Sequence, residues 1–360
     1  MHKQKHLLGI ESFRGFAALL VFLFHFWAIA RVDSASLNSF FSPFMVAGYR
    51  GVDIFFVLSG FLLFHSLYNR EQTLSEYFVR RLKRILPLYY FSLLIFLIFR
   101  EPQLFSTQAG WIDILRHLTF THVFWAESFS TINPVLWTLS HEMFFYLVLP
   151  LLFWLGGKRG WRILLVVGGM IALSLAYRMY IFQHYYPGLD EVRKFTLTEQ
   201  FPGKLDQFAV GMLASFVFIK MTELKMLKRI KSLMFLLLLA SSVTFYVLLS
   251  TSAELGAAMR AMPLFQAGFG FVFAAVFAVL LLSFLTTFEL VRKIFANPLL
   301  TFMGLISYSF YIWHYNILET LSTTALASSH LFFALSFVLI TGISALTYWL
   351  IEKPFLRSRG

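Results

Sequence analysis

Long apolar runs limit what this chain can fold into. Ten windows come close to the roughly 20 apolar residues that a helix needs to cross a bilayer. They cover residues 13–30, 51–68, 85–99, 135–156, 163–181, 205–219, 232–250, 262–287, 298–318 and 331–351. Only 13% of the 360 residues are charged, about half the share in soluble domains. The sequence therefore predicts an all-α polytopic membrane protein, a bundle of about ten transmembrane helices.

Positive charge is distributed unevenly between the connecting segments. With the N-terminus placed in the cytoplasm, the segments on that side hold 20 Lys and Arg residues, and the external segments hold 8. This asymmetry follows the positive-inside rule, so we expect both termini in the cytoplasm. It also accounts for the net charge of +12 through anionic lipid, without nucleic acid. The run at 111–125 is apolar but interrupted, and a short re-entrant or interfacial helix is expected there.

Two ionisable residues, Arg14 and His25, stand out in the first apolar run. They are eleven positions apart, close to three helical turns, so they share one helix face about 16 Å apart along the axis. Ionisable groups at membrane depth are costly and usually functional. His25 suits a general base because imidazole titrates near neutral pH. The alternatives are a His satisfied by a neighbouring helix and an Arg that anchors the helix at the interface.

The predicted orientation places four ionisable residues in the outer half of the membrane: His25, Asp53, Glu142 and His314. A carboxylate in the hydrocarbon needs a positive or donor partner. His25 is the simplest candidate partner for Glu142. The alternative is that the two residues form a structural pair without a role in chemistry. His141 precedes Glu142 but lies about 100° around the helix, so only one of the two can face the same site squarely.

A basic cluster precedes the third window. Arg80, Arg81 and Arg84 lie within about one helical turn. Such a cluster can simply orient the protein in the membrane. The functional alternative is a phosphate clamp, because guanidinium groups match phosphate geometry.

Small, aromatic and absent residue types give further limits. Ser59 and Gly60 interrupt the second window and predict close helix packing there, and Trp137 at a span end is typical of the interfacial aromatic belt. The chain has no Cys, which excludes disulfides, zinc thiolate sites, iron–sulfur clusters and an acyl-cysteine intermediate. No His pair has ligand spacing, so we expect no metal.

Six motifs in a fixed order resemble the acyltransferase 3 family of integral membrane acyltransferases. They are Arg-x10-His at Arg14 and His25, followed by GVDIFFVLSGFLL, FVRRLKRILPLYY, LWTLSHEMFFYL, SYSFYIWH and IEKPF. In the glutamate motif His141 stands at the variable position. The resemblance covers essentially the whole chain, so we expect one membrane domain over 1–360 with no appended soluble domain.

The resemblance implies transfer of an acyl group, acetyl by default, from acyl-CoA to a sugar hydroxyl. The expected acceptor is a glycan or lipid-linked glycan such as lipopolysaccharide O-antigen, and the expected location is the bacterial inner membrane, in contact with membrane lipid. The alternative function is a proton-coupled transporter that relays protons through His25 and Glu142, for which broken helices or inverted repeats would be expected.

Placement and resemblance together give the predicted site. Its catalytic residues are His25, Glu142 and Arg14. Acetyl-CoA is expected to bind Arg14, Arg80, Arg81 and Arg84. The acceptor pocket is expected to contain Asp53, Trp137, Tyr308, Tyr311 and His314, and an aromatic hydroxyl, Trp137 or a backbone amide is expected to stabilise the oxyanion.

Overall fold

The computed structural model describes residues 9–32, 39–185, 188–255 and 262–357, which form helices and turns without a β-strand. The helices are α1 Ile10–Ile29, α2 Ser42–Val46, α3 Gly51–Asn69, α4 Leu74–Phe99, α5 Gln108–Leu118, α6 Trp137–Gly156, α7 Gly160–His184, α8 Glu191–Thr198, α9 Leu205–Glu223, α10 Lys231–Glu254, α11 Pro263–Thr286, α12 Glu289–Phe295, α13 Pro298–Leu305, α14 Ser307–Ser322, α15 Phe332–Thr347 and α16 Lys353–Arg357. A π-helical turn, Tyr348–Glu352, joins α15 to α16.

Membrane-length helices confirm the predicted class. Among the described residues, nine helical segments are long and apolar enough to cross a membrane. The window at 298–318 differs from the prediction, because it forms two helices that end and begin on either side of Ile306. Ile306 has φ −92° and ψ 5°, outside the α-helical region. Hydropathy averages apolar character over a window and does not register such a break in the backbone.

The third and sixth windows, 85–99 and 205–219, lie within longer helices, α4 and α9. α4 begins at a capping box, in which the Thr73 hydroxyl accepts from the Glu76 N–H at 3.2 Å and the Glu76 carboxylate accepts from the Thr73 N–H at 2.8 Å. This cap starts the helix eleven residues before the window at 85–99, so the basic cluster lies on α4 itself.

α5 is the short helix expected near 111–125. Its 11 residues extend about 16 Å, too short to span a bilayer. Trp111 and Leu115 are exposed, whereas Asp113 and His117 are buried. A helix with its apolar side outward and its polar side inward is suited to an apolar surrounding rather than to water.

The chain forms two compact units. The first comprises Met1–Glu71, Leu151–Gly188 and Pro202–Leu305, and the second comprises Gln72–Pro150, Leu189–Phe201 and Ile306–Gly360. The first unit contains Arg14, His25 and Asp53. The second contains the other predicted site residues: Arg80, Arg81, Arg84, Trp137, Glu142, Tyr308, Tyr311 and His314.

Glycines bring α3 and α9 into close contact in the first unit. A Cβ on Gly60 would overlap the backbone carbonyl of Phe208, and a Cβ on Gly211 would overlap the carbonyl of Val57. The two helices therefore touch backbone to backbone at this point, and the predicted close packing at Gly60 is confirmed.

Candidate active site

α1 carries Arg14 and His25 on one continuous helix. Phe13 is buried and packs edge-on against Phe277 and Phe284, with ring centroids 5.6 and 5.0 Å away. These contacts hold the start of α1 against α11. Arg14 is partly exposed, and its Nη1 lies 3.5 Å from Oε2 of Glu11 one turn earlier. Because α1 is unbroken, the two residues keep the shared face that their spacing predicts.

His25 is half-buried, and a backbone contact defines its tautomer. Its Nδ1 lies 3.0 Å from the carbonyl oxygen of Val21. A carbonyl oxygen only accepts, so the neutral ring must carry its proton on Nδ1 and donate it there. The lone pair is then on Nε2. A general base requires this arrangement, since it can take a proton at Nε2 while its orientation stays fixed.

Asp53 belongs to a buried ionic network of the first unit. Its Oδ2 lies 3.0 Å from Nη1 of Arg50, and its Oδ1 accepts from Nε2 of Gln207 at 2.8 Å. The Nζ of Lys204 is 3.8 Å from Oδ1. Both carboxylate oxygens thus have protein partners, as a buried carboxylate requires. The predicted role of Asp53 in an acceptor pocket stays a prediction.

Glu142 lies on α6 in the second unit and is half-buried. The hydroxyl of Tyr146, one turn along the same helix, donates to its Oε1 at 2.6 Å. Tyr77 of α4 in turn donates to the Tyr146 carbonyl at 3.2 Å. Since His25 and Glu142 belong to different units, their pairing stays a prediction. The contact from Tyr146 meets the requirement that a buried carboxylate have a donor.

The three arginines of the basic cluster have different surroundings. Arg80 is exposed, whereas Arg81 is half-buried with its guanidinium 5.8 Å from the ring centroid of Tyr77. The Nη1 of Arg84 lies 3.6 Å from Oε2 of Glu352, a carboxylate that is 1% exposed. The charges of Arg81, Arg84 and Glu142 all act on Tyr146, so the basic cluster and Glu142 occupy one region of the second unit.

The remaining predicted pocket residues are buried in the second unit, with 1–8% of each residue exposed. The Tyr308 hydroxyl donates to the carbonyl of Ile85 at 2.7 Å. The Tyr311 hydroxyl accepts from Thr138 at 3.0 Å, and its backbone carbonyl lies 2.7 Å from Nδ1 of His314. Trp137 stacks on Phe129 with ring centroids 5.9 Å apart. These contacts fix the side chains but do not test their predicted roles.

Two residues next to the predicted site were missed from the sequence. Tyr146 was detectable because it stands four residues after Glu142, and such pairs meet on a helix. Glu352 lies in the motif IEKPF, at the end of the π-helical turn, and also accepts from the Ser309 hydroxyl. Turns of this kind occur often at functional positions. Among the described residues, no group of three or more His, Cys, Asp or Glu could hold a metal ion.

The membrane-length helices of the described residues define a multi-pass membrane protein. The family described as acyltransferase domain matches residues 7–349, and the chain belongs to this family. The predicted family is therefore confirmed.

Several relatives are acetyltransferases by name. Peptidoglycan O-acetyltransferase OatA of Listeria monocytogenes is 26% identical over 382 residues, which cover 99% of this chain and 57% of that protein. A putative acetyltransferase of Acidianus two-tailed virus is 30% identical over a region that covers 88% of this chain and 85% of that protein. A putative O-acetyltransferase of Staphylococcus aureus strain COL is 24% identical over a region that covers 88% of this chain and 51% of that protein. The chain thus spans about half the length of these bacterial relatives. No solved structure matches it.

Proposed function

We propose that this chain transfers an acetyl group from acetyl-CoA to a sugar hydroxyl of a bacterial surface polysaccharide. Family membership and the names of the relatives support acyl transfer to oxygen. The OatA relative is named for peptidoglycan, whereas our expectation from the motifs is lipopolysaccharide O-antigen. Both glycans offer sugar hydroxyls as acceptors.

The single observation that carries the mechanism is the contact of His25 Nδ1 with the Val21 carbonyl oxygen at 3.0 Å. With Nδ1–H held by the Val21 carbonyl, Nε2 can take the proton from the acceptor hydroxyl. The hydroxyl oxygen then attacks the thioester carbonyl carbon, the carbon–sulfur bond breaks, and CoA leaves as a thiolate that takes up a proton. The new ester bond joins the acetyl group to the sugar. The chain has no Cys, so a thioester acyl-enzyme is excluded.

Arginines supply the donor site in this proposal. CoA carries phosphates, and guanidinium groups bind phosphate in a planar, two-pronged geometry. Arg84 is held by Glu352, which orients it before the donor binds. Arg14, Arg80 and Arg81 complete the proposed phosphate-binding set. Placed on the cytoplasmic side, this set faces the compartment that contains CoA.

The transporter hypothesis has one structural feature in its favour, the break at Ile306 between α13 and α14. Broken helices at membrane depth occur in transporters. The family match favours acyl transfer instead, and the two functions differ in their products. An acyltransferase makes a glycan ester and free CoA, whereas a transporter accumulates solute in sealed vesicles.

The proposal is tested in cells lacking the gene, complemented with wild type, His25→Ala or His184→Ala at matched abundance. His184 is the control, because it also has Nδ1 close to the carbonyl four residues earlier but lies at the exposed end of α7. Mass spectrometry of O-antigen and peptidoglycan should find acetyl esters on one of them with wild type and His184→Ala, and none with His25→Ala. Ester formation by His25→Ala would refute the general-base role. No ester on either glycan with wild type would refute the proposed acceptor class.

A further inference from the structure

His141 stands at the variable position of the glutamate motif, directly before Glu142, and is completely buried. Its Nδ1 lies 2.7 Å from the carbonyl oxygen of Trp137, and its Nε2 lies 2.5 Å from the carbonyl oxygen of Glu199. Both ring nitrogens therefore contact backbone carbonyl groups, one on α6 and one just after α8.

This geometry calls for a donor at each ring nitrogen. A carbonyl oxygen has lone pairs and no proton, so each ring nitrogen has to donate. Only the doubly protonated imidazolium has two N–H groups. A neutral ring would place a nitrogen lone pair against a carbonyl oxygen in a buried position, which is repulsive and leaves the carbonyl without its donor.

The groups around His141 are aromatic or titratable. The edges or faces of Trp137 and Phe201 pack against the ring, with centroids 5.3 and 6.1 Å away. Glu142 follows it on α6, and Glu199 provides the carbonyl after α8. From the turn after α5, His122 lies within electrostatic range. His117 stacks on His122 with centroids 4.1 Å apart.

Burial, then the charges of His117 and His141, hold the pKa of His122 well below the usual value. A neutral His122 beside a charged His141 is the arrangement expected when two imidazoles share a buried region. Glu142, one residue away along α6, is the nearest carboxylate in sequence and has the opposite sign.

We propose that His141 is a permanently protonated positioning residue for Glu142. Its two N–H groups join the start of α6 to the segment after α8, which sets the place of Glu142. Its positive charge is opposite in sign to the Glu142 carboxylate, which follows it in the chain. The charge and hydrogen bonds of His141 do not depend on the proposed function, whereas its role in the reaction rests on it.

The charge is tested by ¹⁵N NMR of protein labelled at histidine, in lipid, between pH 7 and 9. The chain has ten His residues. We expect one buried imidazolium to persist at the upper pH, with both ring nitrogens protonated, and its signal to vanish in His141→Gln but not in His184→Gln. A spectrum at pH 9 with neutral tautomers only would overturn the proposal without requiring any variant to fold.

The positioning role is tested by the pH profile of acetyl transfer. His141→Gln keeps one donor and loses the charge, so kcat should fall about tenfold, as for groups that orient a catalytic residue. The pH dependence of its activity should also differ from that of wild type, because the positive charge next to Glu142 is removed. His184→Gln should match wild type in both respects.

The outcomes separate the two proposals. A fall in kcat with an unchanged pH profile would reduce His141 to a structural clamp and overturn the electrostatic role. If wild type transfers no acetyl group to any glycan, the proposed function fails, and the NMR result still decides whether His141 carries the charge.

Discussion

The buried pair of Arg178 on α7 and Asp206 on α9 provides a quantitative test of the first unit. Arg178 is 5% exposed and Asp206 is not exposed, and the two side chains form a direct ion pair. At contact distance, an effective dielectric constant of about 20 gives an attraction of about 4 kcal/mol. After Arg178→Leu, Asp206 would keep the N–H of Gln207 as a donor at 3.0 Å but would lose its counter-charge. We therefore expect the free energy of unfolding to fall by about 3–5 kcal/mol.

The assay is reversible unfolding in mixed micelles, followed by circular dichroism, on four proteins: wild type, both single variants and Arg178→Leu/Asp206→Leu. The double variant should recover most of the lost stability, because removing both charges leaves no uncompensated ion. Arg193→Leu is the control, since Arg193 and Asp190 form an exposed pair with 64% and 60% of their side chains accessible. It should change stability little. A loss below about 1 kcal/mol for Arg178→Leu, or a double variant as unstable as that single variant, would refute the reasoning.

Three further predictions follow from other parts of the chain. Gly60→Ala should lower the free energy of unfolding by about 1–3 kcal/mol, because the added Cβ would overlap the backbone of Phe208. Gly168→Ala should leave the free energy of unfolding unchanged, because the space around Gly168 is open. Thermal unfolding of both variants measures the difference. Tyr146→Phe should lower kcat about tenfold with little change in KM for acetyl-CoA, because Glu142 loses a donor worth about 1.5–3 kcal/mol; steady-state kinetics would contradict this if kcat were unchanged. His122 has a lowered pKa in the fold, so the unfolded chain binds more protons and stability should decline as pH falls through about 6.5; His122→Phe should flatten the dependence of Tm on pH between 8 and 5, and an equal slope in both proteins would refute it.

The helical membrane architecture was predictable because it depends on the length of apolar segments, which can be read directly from the sequence. A bilayer requires long apolar helices, and nine of the ten predicted windows correspond to helical segments of membrane length. The start of α4 was harder to predict, because the window at 85–99 excludes the polar first turns of the helix, which begin after the Thr73 cap. The break at Ile306 was not predictable from hydropathy, because both sides of it are apolar.

The candidate site also has features that were predictable from the sequence and features that were not. The spacing of Arg14 and His25 placed them on one face, since a continuous helix converts sequence spacing into direction. Tyr146, the partner of Glu142, was detectable from its spacing, whereas Glu352, the partner of Arg84, was not, because the two residues are far apart in the sequence. The role of His141 also depended on a carbonyl 58 residues away, after α8.

The sequence by itself determined the membrane class, the family and the residue types available for acyl transfer. Apolar length, charge asymmetry and motif order are one-dimensional properties, and the physical requirements of a bilayer act on them directly. Tertiary structure alone decided that Nε2 of His141 meets the Glu199 carbonyl and that Arg84 meets Glu352. Hydrogen bonds act over about 3 Å, so protonation and pairing depend on atoms that only folding brings together.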